Sequence, residues 1–178
     1  QGCWADVEAP REMIPLDDLH RLIAGAKRAG NRFFGLLGGE PFLHPQLLEL
    51  LAAHPDCYFQ VFTNGQLVTE KVAAQLRRLG NVTPLISIEG NQPVSDQRRG
   101  GRDVLNRTLQ GLENCVRARL LTGVATSLCR TNIGDLLTEG WLQELIRRGV
   151  HYVWYYTYRP VGPRMCSELA LDARQLLQ

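Results

Sequence analysis

The chain carries little net charge and no long hydrophobic run. Its 178 residues include 20 Lys and Arg against 18 Asp and Glu, which gives a formal net charge of +2. That excess is too small to indicate a protein that binds nucleic acid or a membrane surface. No apolar run approaches the roughly 18 residues of a membrane-spanning helix, and no signal peptide is visible, so we expect a cytoplasmic protein.

Paired cysteines and clustered histidines are also missing. The five cysteines are scattered without a C-x2-C pair, and the four histidines have no metal-binding spacing. A secreted disulfide framework is therefore not expected. Cys57, Cys115 and Cys129 are predicted to be buried as small hydrophobic residues. Ligation of a metal centre by Cys166, with partners beyond residue 178, is an alternative that the sequence leaves open.

The composition is that of a globular α/β domain. Apolar residues make up 44% of the chain and charged residues 21%, and no internal repeat or low-complexity segment divides it, so we expect one domain over residues 1–178. Short apolar runs alternate with longer amphipathic stretches, which is typical of βα units with a parallel sheet.

The pattern predicts five strands, over residues 32–37, 58–62, 84–88, 123–129 and 151–158. It predicts helices over residues 15–29, 45–53, 69–79, 103–116 and 135–148, with a further helix beginning at 172–177. Residues 91–102 are a polar segment between a strand and a helix. In parallel α/β sheets functional residues gather at the carboxyl ends of the strands, so we expect the site there.

The segment Gly38-Gly39-Glu40-Pro41 follows the first of these strands. Two adjacent glycines let a ligand approach the backbone closely, because neither has a Cβ atom. Glu40 adds a carboxylate, and Pro41 fixes the direction in which the chain leaves. Such a segment can hold a small charged group, and an ordinary glycine-rich turn is the alternative.

Polar residues also follow the next two strands. Thr63-Asn64-Gly65 ends one apolar run, although Asn-Gly favours a plain turn in any case. Ser87-Ile88-Glu89-Gly90 ends the next, and Ser87 and Glu89 share one side of the strand because they are two residues apart. A cysteine, Cys3, precedes the first predicted helix. In this order and spacing, the four features resemble the radical S-adenosylmethionine (radical SAM) superfamily.

In that family a C-x3-C-x2-C triplet follows the first strand, and a GGEP motif follows the second. A TNG-like turn follows the third strand, and an S-x-D/E pair follows the fourth. The resemblance runs from Cys3 to about Pro163. It implies a partial (βα)6 TIM-like barrel whose first strand and cluster loop are missing from this chain. Periodicity alone does not distinguish such a barrel from a flat, doubly wound sheet.

The resemblance also implies the cofactors, a [4Fe–4S] cluster and S-adenosylmethionine, whose cleavage would give a radical that attacks an unknown substrate. An electron donor such as flavodoxin or ferredoxin is expected as a partner. Cys3 is the implied iron ligand, since thiolates are the usual ligands of such clusters. Because only the last cysteine of the triplet is present, residues 1–178 alone are expected to hold no cluster and to be inactive.

By the same resemblance, Gly39 and Glu40 receive the amino group of the cofactor, because an ammonium group requires acceptors. Arg130 could meet its carboxylate, and Val161 and Gly162 would lie beside the adenine. Tyr156 and Tyr158 are predicted to pack in the core instead. The predicted cofactor-binding residues are Gly38, Gly39, Glu40, Pro41, Thr63, Asn64, Ser87, Glu89, Arg130, Val161 and Gly162.

A second hypothesis is a non-catalytic module that binds S-adenosylmethionine or another metabolite on the same barrel. The residues that precede Gln1 in the protein would distinguish the enzyme from the non-catalytic module. Two further cysteines at the family spacing would favour the enzyme.

Overall fold

A computed structural model describes residues 13–161 and 165–177 of the chain. Cys3 and Gly162 lie outside the described residues. The strands are β1 (Phe33–Leu36), β2 (Tyr58–Thr63), β3 (Val82–Ser87), β4 (Gly123–Leu128) and β5 (Tyr152–Thr157). The helices are α1 (Leu16–Arg28), α2 (Leu47–Ala53), α3 (Glu70–Leu79), α4 (Gln92–Arg99), α5 (Val104–Arg117), α6 (Ile133–Leu136) and α7 (Glu139–Arg147). Three 3₁₀ helices cover Pro41–Leu43, Ser167–Leu169 and Gln175–Leu177.

The five strands form one parallel sheet in chain order, β1-β2-β3-β4-β5. Strand pairing sets Phe59 beside Val82, Leu85 beside Gly123 and Val124 beside Val153. Since the order never reverses and such crossovers share one hand, the connecting helices lie on one face of the sheet. The sheet curls into a half-barrel with that face outward. The predicted partial barrel is confirmed, and the doubly wound alternative is excluded.

The hydrophobic core lies between the convex face of the sheet and the helices. Phe59 and Val61 on β2, Ile86 on β3 and Val124 on β4 are completely buried there. They meet buried residues of the surrounding helices, such as Leu112 on α5. Because side chains alternate along a strand, the residues between them face the hollow of the half-barrel.

The helix α3 shows how local sequence sets the boundaries of an element. Thr69 precedes it, and its hydroxyl accepts a hydrogen bond from the backbone N–H of Val72 at 3.3 Å. Gly80 ends it in a left-handed conformation, with φ of 73°, which costs glycine little. The predicted cap and stop of this helix are both confirmed.

The largest error of the sequence prediction concerns residues 91–102. They were predicted only as a polar segment, but they contain the helix α4. Gly100 ends that helix with φ of 64°, and Asp96 within it accepts hydrogen bonds from the backbone N–H groups of Asp103 (3.0 Å) and Val104 (2.9 Å) at the start of α5. Burial would raise the pKa of Asp96, but the hydrogen bonds from Val104, Gln92 and Asp103 outweigh it and lower that pKa. Tertiary hydrogen bonds thus stabilise a helix with few apolar residues.

Other elements also differ from the prediction. The third strand begins at Val82 and ends at Ser87, rather than covering 84–88. The helix predicted over 135–148 is two helices, α6 and α7, because the Thr138 hydroxyl accepts from the Trp141 N–H (3.2 Å) and starts a new helix. The last predicted helix is a 3₁₀ turn, Gln175–Leu177.

The cysteine predictions are confirmed where the structure describes them. Cys57, Cys115 and Cys129 are buried, and Cys166 is partly exposed. Burial raises the pKa of the Cys115 thiol to about 12. Within residues 13–161 and 165–177, every helix is too short or too polar to cross a membrane.

Candidate functional site

A cavity of about 720 Å³ opens at the carboxyl ends of the strands. Segments that follow β1, β2, β3 and β5 all contribute to its wall, so the cavity lies at the edge of the sheet where we expect the site. The predicted residues that line the cavity are Gly38, Gly39, Thr63, Asn64, Ser87, Glu89 and Val161. Their proximity is now a structural fact, and their role in binding stays a prediction.

Three predicted residues do not line this cavity. Glu40 and Pro41 lie behind the two glycines, at the start of the 3₁₀ helix Pro41–Leu43. Arg130 is exposed, and its backbone N–H donates to the carbonyl of Leu169 at 3.0 Å. A direct contact of Arg130 with a ligand in the cavity therefore has no support from the geometry.

Gly38 and Gly39 leave open space at the rim of the cavity. A Cβ atom built on either residue would meet no atom within 4 Å, and neither residue has the left-handed φ that favours glycine. The fold of the described residues therefore does not require glycine at these positions. The open space fits a ligand that approaches the backbone.

Glu40 ties the segment after β1 to the segment after β2. Its Oε1 atom accepts from the Thr63 hydroxyl at 2.7 Å and from the Phe42 N–H at 3.1 Å, and its Oε2 atom accepts from the Asn64 N–H at 2.7 Å. A carboxylate offers about four acceptor positions, so one position on Oε2 remains for a ligand. The main role of Glu40 in this geometry is to hold the segments after β1 and β2 in position.

We expect Glu40→Gln to lower the free energy of unfolding by about 1–3 kcal/mol, because an amide N–H group would face one of these donors. Urea unfolding followed by circular dichroism measures the effect. Glu49→Gln, at an exposed position of α2, is the control, with little expected change. Equal stability of Glu40→Gln and wild type would contradict the positioning role.

Two arginines of α4 hold the carboxylate of Glu89. Arg98 Nη2 lies 3.1 Å from Glu89 Oε2, and Arg99 Nη2 lies 2.6 Å from Oε1. The side chains of Arg98 and Glu89 are only 6% and 13% exposed, against 33% for Arg99. Arg98 also donates to the carbonyl of Ser127 at 3.4 Å. This group links α4 to the ends of β3 and β4.

The sequence analysis did not identify either arginine, because it predicted neither a helix nor a strand for the segment that carries them. The signals of a helix were present there. Asn91 could cap a helix, Pro93 suits its first turn, and Gly100 suits the residue that follows its end. Their pairing with Glu89, in contrast, has no signal in the sequence.

We expect Glu89→Gln to lower the free energy of unfolding by about 2–4 kcal/mol. The change removes the charge that compensates a nearly buried guanidinium group, and such losses are costly. Arg99→Gln should lower the free energy of unfolding by about 1 kcal/mol or less, because Arg99 is more exposed than Arg98. Urea titrations of both variants check this order, and a Glu89→Gln protein as stable as Arg99→Gln would contradict it.

Asn132 fixes the ends of β3 and β4 relative to each other. Its amide donates to the carbonyls of Glu89 (2.8 Å) and Ser127 (3.0 Å), and its Oδ1 atom accepts from the Cys129 N–H at 2.7 Å. The side chain is completely buried. These partners lie on different strands, so no local signal in the sequence points to them.

Tyr156 does not pack in the core as predicted. It is 42% exposed and lines the cavity, because even-numbered residues of β5 face the hollow of the half-barrel and odd-numbered residues face the helices. Tyr158 also lines the cavity, and its hydroxyl accepts from the backbone N–H of Cys166 at 3.2 Å.

The family model of the radical SAM superfamily matches residues 2–147. The chain belongs to the radical SAM superfamily. The match includes Cys3, the GGEP segment and the segments after β2 and β3. The resemblance inferred from short motifs is therefore confirmed.

Two curated relatives illustrate the range of this superfamily. An Fe-coproporphyrin III synthase of Methanosarcina barkeri is 26% identical over 173 residues, which cover 93% of this chain and 43% of the relative. A GTP 3',8-cyclase of Parasynechococcus marenigrum is 30% identical over 161 residues, which cover 84% of this chain and 45% of the relative. The chain thus spans less than half the length of either relative.

Solved structures share the fold of this chain at lower identity. Streptococcus suis SuiB bound to S-adenosylmethionine has a TM-score of 0.78 at 17% identity, over 92% of this chain and 38% of that chain. The protein anSMEcpe with bound AdoMet and Kp18Cys peptide has a TM-score of 0.79 at 15% identity, over 98% of this chain and 52% of that chain. At such identities the likeness shows the fold alone.

Proposed function

We propose that this chain is the catalytic core of a radical SAM enzyme. With the cofactors bound, a [4Fe–4S] cluster would supply the electron that cleaves S-adenosylmethionine, and the resulting 5′-deoxyadenosyl radical would abstract hydrogen from a substrate. The observation that carries the proposal is the meeting of the family's strand-end motifs around one cavity, with open space before Gly38 and Gly39.

The residues around this cavity suit S-adenosylmethionine. The backbone carbonyls near Gly39 and the remaining acceptor position of Glu40 would hold its ammonium group. The hydroxyl of Ser87, at the end of β3, would take a polar group of the ribose or the methionine end. Val161 would lie beside the adenine. Thr63 and Asn64 would act chiefly by holding Glu40 in place.

Cys3 would supply one thiolate ligand to the cluster. Of the cysteines that the structure describes, Cys57, Cys115 and Cys129 are buried. Cys57 could hold a metal ion together with His54 and Asp56, but these residues precede β2 and do not line the cavity. By the family motif, Cys3 would be the cluster ligand of this chain. A flavodoxin or ferredoxin would deliver the electron.

The substrate does not follow from the comparisons. The names of the two curated relatives refer to an iron porphyrin and to GTP, and one of the similar structures holds a peptide. Names this different do not single out one substrate class for this chain.

The test uses the full-length protein, reconstituted anaerobically with iron and sulfide and supplied with dithionite and S-adenosylmethionine. We expect a visible absorbance band of a [4Fe–4S] cluster and release of 5′-deoxyadenosine, measured by liquid chromatography. Residues 1–178 alone serve as a control and are expected to retain no stable cluster. If the protein binds S-adenosylmethionine but forms no cluster and does not cleave it, the result would instead favour the non-catalytic module.

A further inference from the structure

A group of metal-ligand side chains lies near the amino end of β2, and none of them lines the cavity. His54, Asp56 and Cys57 each place one potential ligand atom within 4.8 Å of the others. His20 on α1 joins them, because its Nδ1 atom lies 2.9 Å from Nε2 of His54. We call these four residues the histidine–cysteine cluster: His20, His54, Asp56 and Cys57.

The local sequence explains why three of these side chains lie together. His54 follows α2, and its carbonyl accepts from the Cys57 N–H at 3.0 Å, which closes a four-residue turn. Pro55 occupies the second position of this turn, where the fixed φ of proline is favourable. The Asn81 amide also donates to the His54 carbonyl, at 3.1 Å. A proline and two hydrogen bonds thus fix the turn that carries the three side chains.

His20 reaches this turn from a distant part of the chain. It precedes His54 by 34 residues, so the spacing of the histidines gives no indication of their contact. The two rings are tilted by 50°, with their centres 5.1 Å apart. At a nitrogen–nitrogen distance of 2.9 Å, one ring nitrogen donates a hydrogen bond and the other accepts it. Histidines that bind a metal are commonly oriented by such a partner on the second ring nitrogen.

Burial and protonation suit the ligands of a metal ion. His54 is 9% exposed and Cys57 is 3% exposed, whereas Asp56 is exposed and leaves a path for an ion to enter. Burial, followed by the charges of His20 and Lys27, lowers the pKa of His54, so its ring is neutral at pH 7. A neutral imidazole is the form that binds a metal ion.

Two cations already contact Asp56. Lys27 Nζ lies 2.7 Å from Oδ1, and Arg32 Nε lies 3.7 Å from Oδ2. The Cys57 thiol donates to the same Oδ1 atom over 3.9 Å, so the sulfur and the carboxylate face each other. A carboxylate has about four acceptor positions, and exposed ion pairs are weak. A divalent ion can therefore compete with Lys27 for this carboxylate.

The donor set selects the metal. A thiolate, an imidazole and a carboxylate are ligands of zinc, whereas Mg²⁺ and Ca²⁺ prefer oxygen alone. We propose that the histidine–cysteine cluster is a zinc site. His54, Asp56 and Cys57 would be the ligands, and His20 would orient the ring of His54. The bound ion would fasten α1 to the turn between α2 and β2. The site goes beyond the proposed function and does not depend on it.

The test uses the full-length protein, reconstituted with its iron–sulfur cluster and dialysed against Zn²⁺. We expect mass spectrometry to find roughly one zinc ion per chain beside the cluster iron. X-ray absorption at the zinc edge, which is blind to iron, should show one sulfur at about 2.3 Å and lighter ligands at about 2.0–2.2 Å. Absence of zinc, or a ligand shell with no sulfur or with several, would overturn the proposal.

Cys57→Ala should weaken zinc binding by more than about 100-fold, because loss of an orienting partner alone costs about 10–100-fold. Cys115→Ala is the matched control. Its thiol is also buried and, among the described residues, belongs to no such group. Both variants should keep the iron content of wild type. Equal zinc affinity of Cys57→Ala and wild type, or a parallel loss of iron and zinc, would overturn the proposal.

Lys27→Gln gives a readout that damage to the fold does not imitate. It should tighten zinc binding about threefold, because it removes a cation that competes for Asp56. Unchanged or weaker binding by this variant would show that Asp56 is not a ligand and would overturn the proposed site.

His20→Phe should weaken zinc binding about tenfold through the lost partner of His54. Thermal melts complete the test, since Zn²⁺ should raise the melting temperature of wild type and of Cys115→Ala but not that of Cys57→Ala. An equal rise in all three proteins would place the zinc elsewhere and refute the site.

Discussion

Cys3→Ala in the full-length, reconstituted protein should abolish both the cluster and the release of 5′-deoxyadenosine. Thiolates are the ligands that hold the irons of a [4Fe–4S] cluster. In the radical SAM family three cysteines each hold one iron, and the fourth iron is left for the cofactor. Loss of Cys3 would leave a second iron without a protein ligand. Iron content, visible absorbance and product release measure the effect.

Cys166→Ala is the matched control, because Cys166 lies after β5 and outside the family motif. It should keep the cluster and the product. Product release by Cys3→Ala at the wild-type rate would show that Cys3 is not an iron ligand. Loss of the cluster in Cys166→Ala would instead assign Cys166 a cluster role, the alternative that the sequence leaves open.

Gly39→Val should weaken S-adenosylmethionine binding by about 100-fold, equivalent to about 2.8 kcal/mol. The branched side chain would occupy the space that the cofactor needs, and tightly packed atoms do not yield without cost. The fold should survive, because a Cβ atom at Gly39 meets nothing within 4 Å and the residue lacks a left-handed φ. A binding titration beside a thermal melt measures both quantities.

Gly134→Val on α6 provides the control for the change of residue type. Gly134 also has open space at its Cβ position and lacks a left-handed φ, but it does not line the cavity. The affinity of the Gly134→Val protein for S-adenosylmethionine should match that of the wild type. Unchanged affinity of Gly39→Val would move the cofactor site away from this loop, and loss of folding together with binding would make Gly39 a structural glycine.

The sequence by itself determined the strands and the segments that follow them. Four of the five predicted strands lie within one residue of the observed boundaries, and the third begins two residues earlier than predicted. The apolar runs and the glycine, proline and asparagine turns that mark them are local signals. Such signals act between neighbours in the chain, so they can be read without the fold.

Only the tertiary structure decided which polar groups hold each other in place. Glu40 was predicted to face the cofactor, yet three hydrogen bonds from Phe42, Thr63 and Asn64 occupy most of its carboxylate. Glu89 pairs with arginines from a helix that the pattern did not predict. Partners far apart in sequence are set by the packing of whole elements, which no local window contains.

The aromatic residues of β5 show the same limit. Their strong preference for strands was readable, because side-chain shape acts within a few residues. Whether Trp154 and Tyr156 face the core or the hollow depends on which side of the sheet the helices cover. That choice follows from the strand order and the hand of the crossovers, which belong to the assembled sheet.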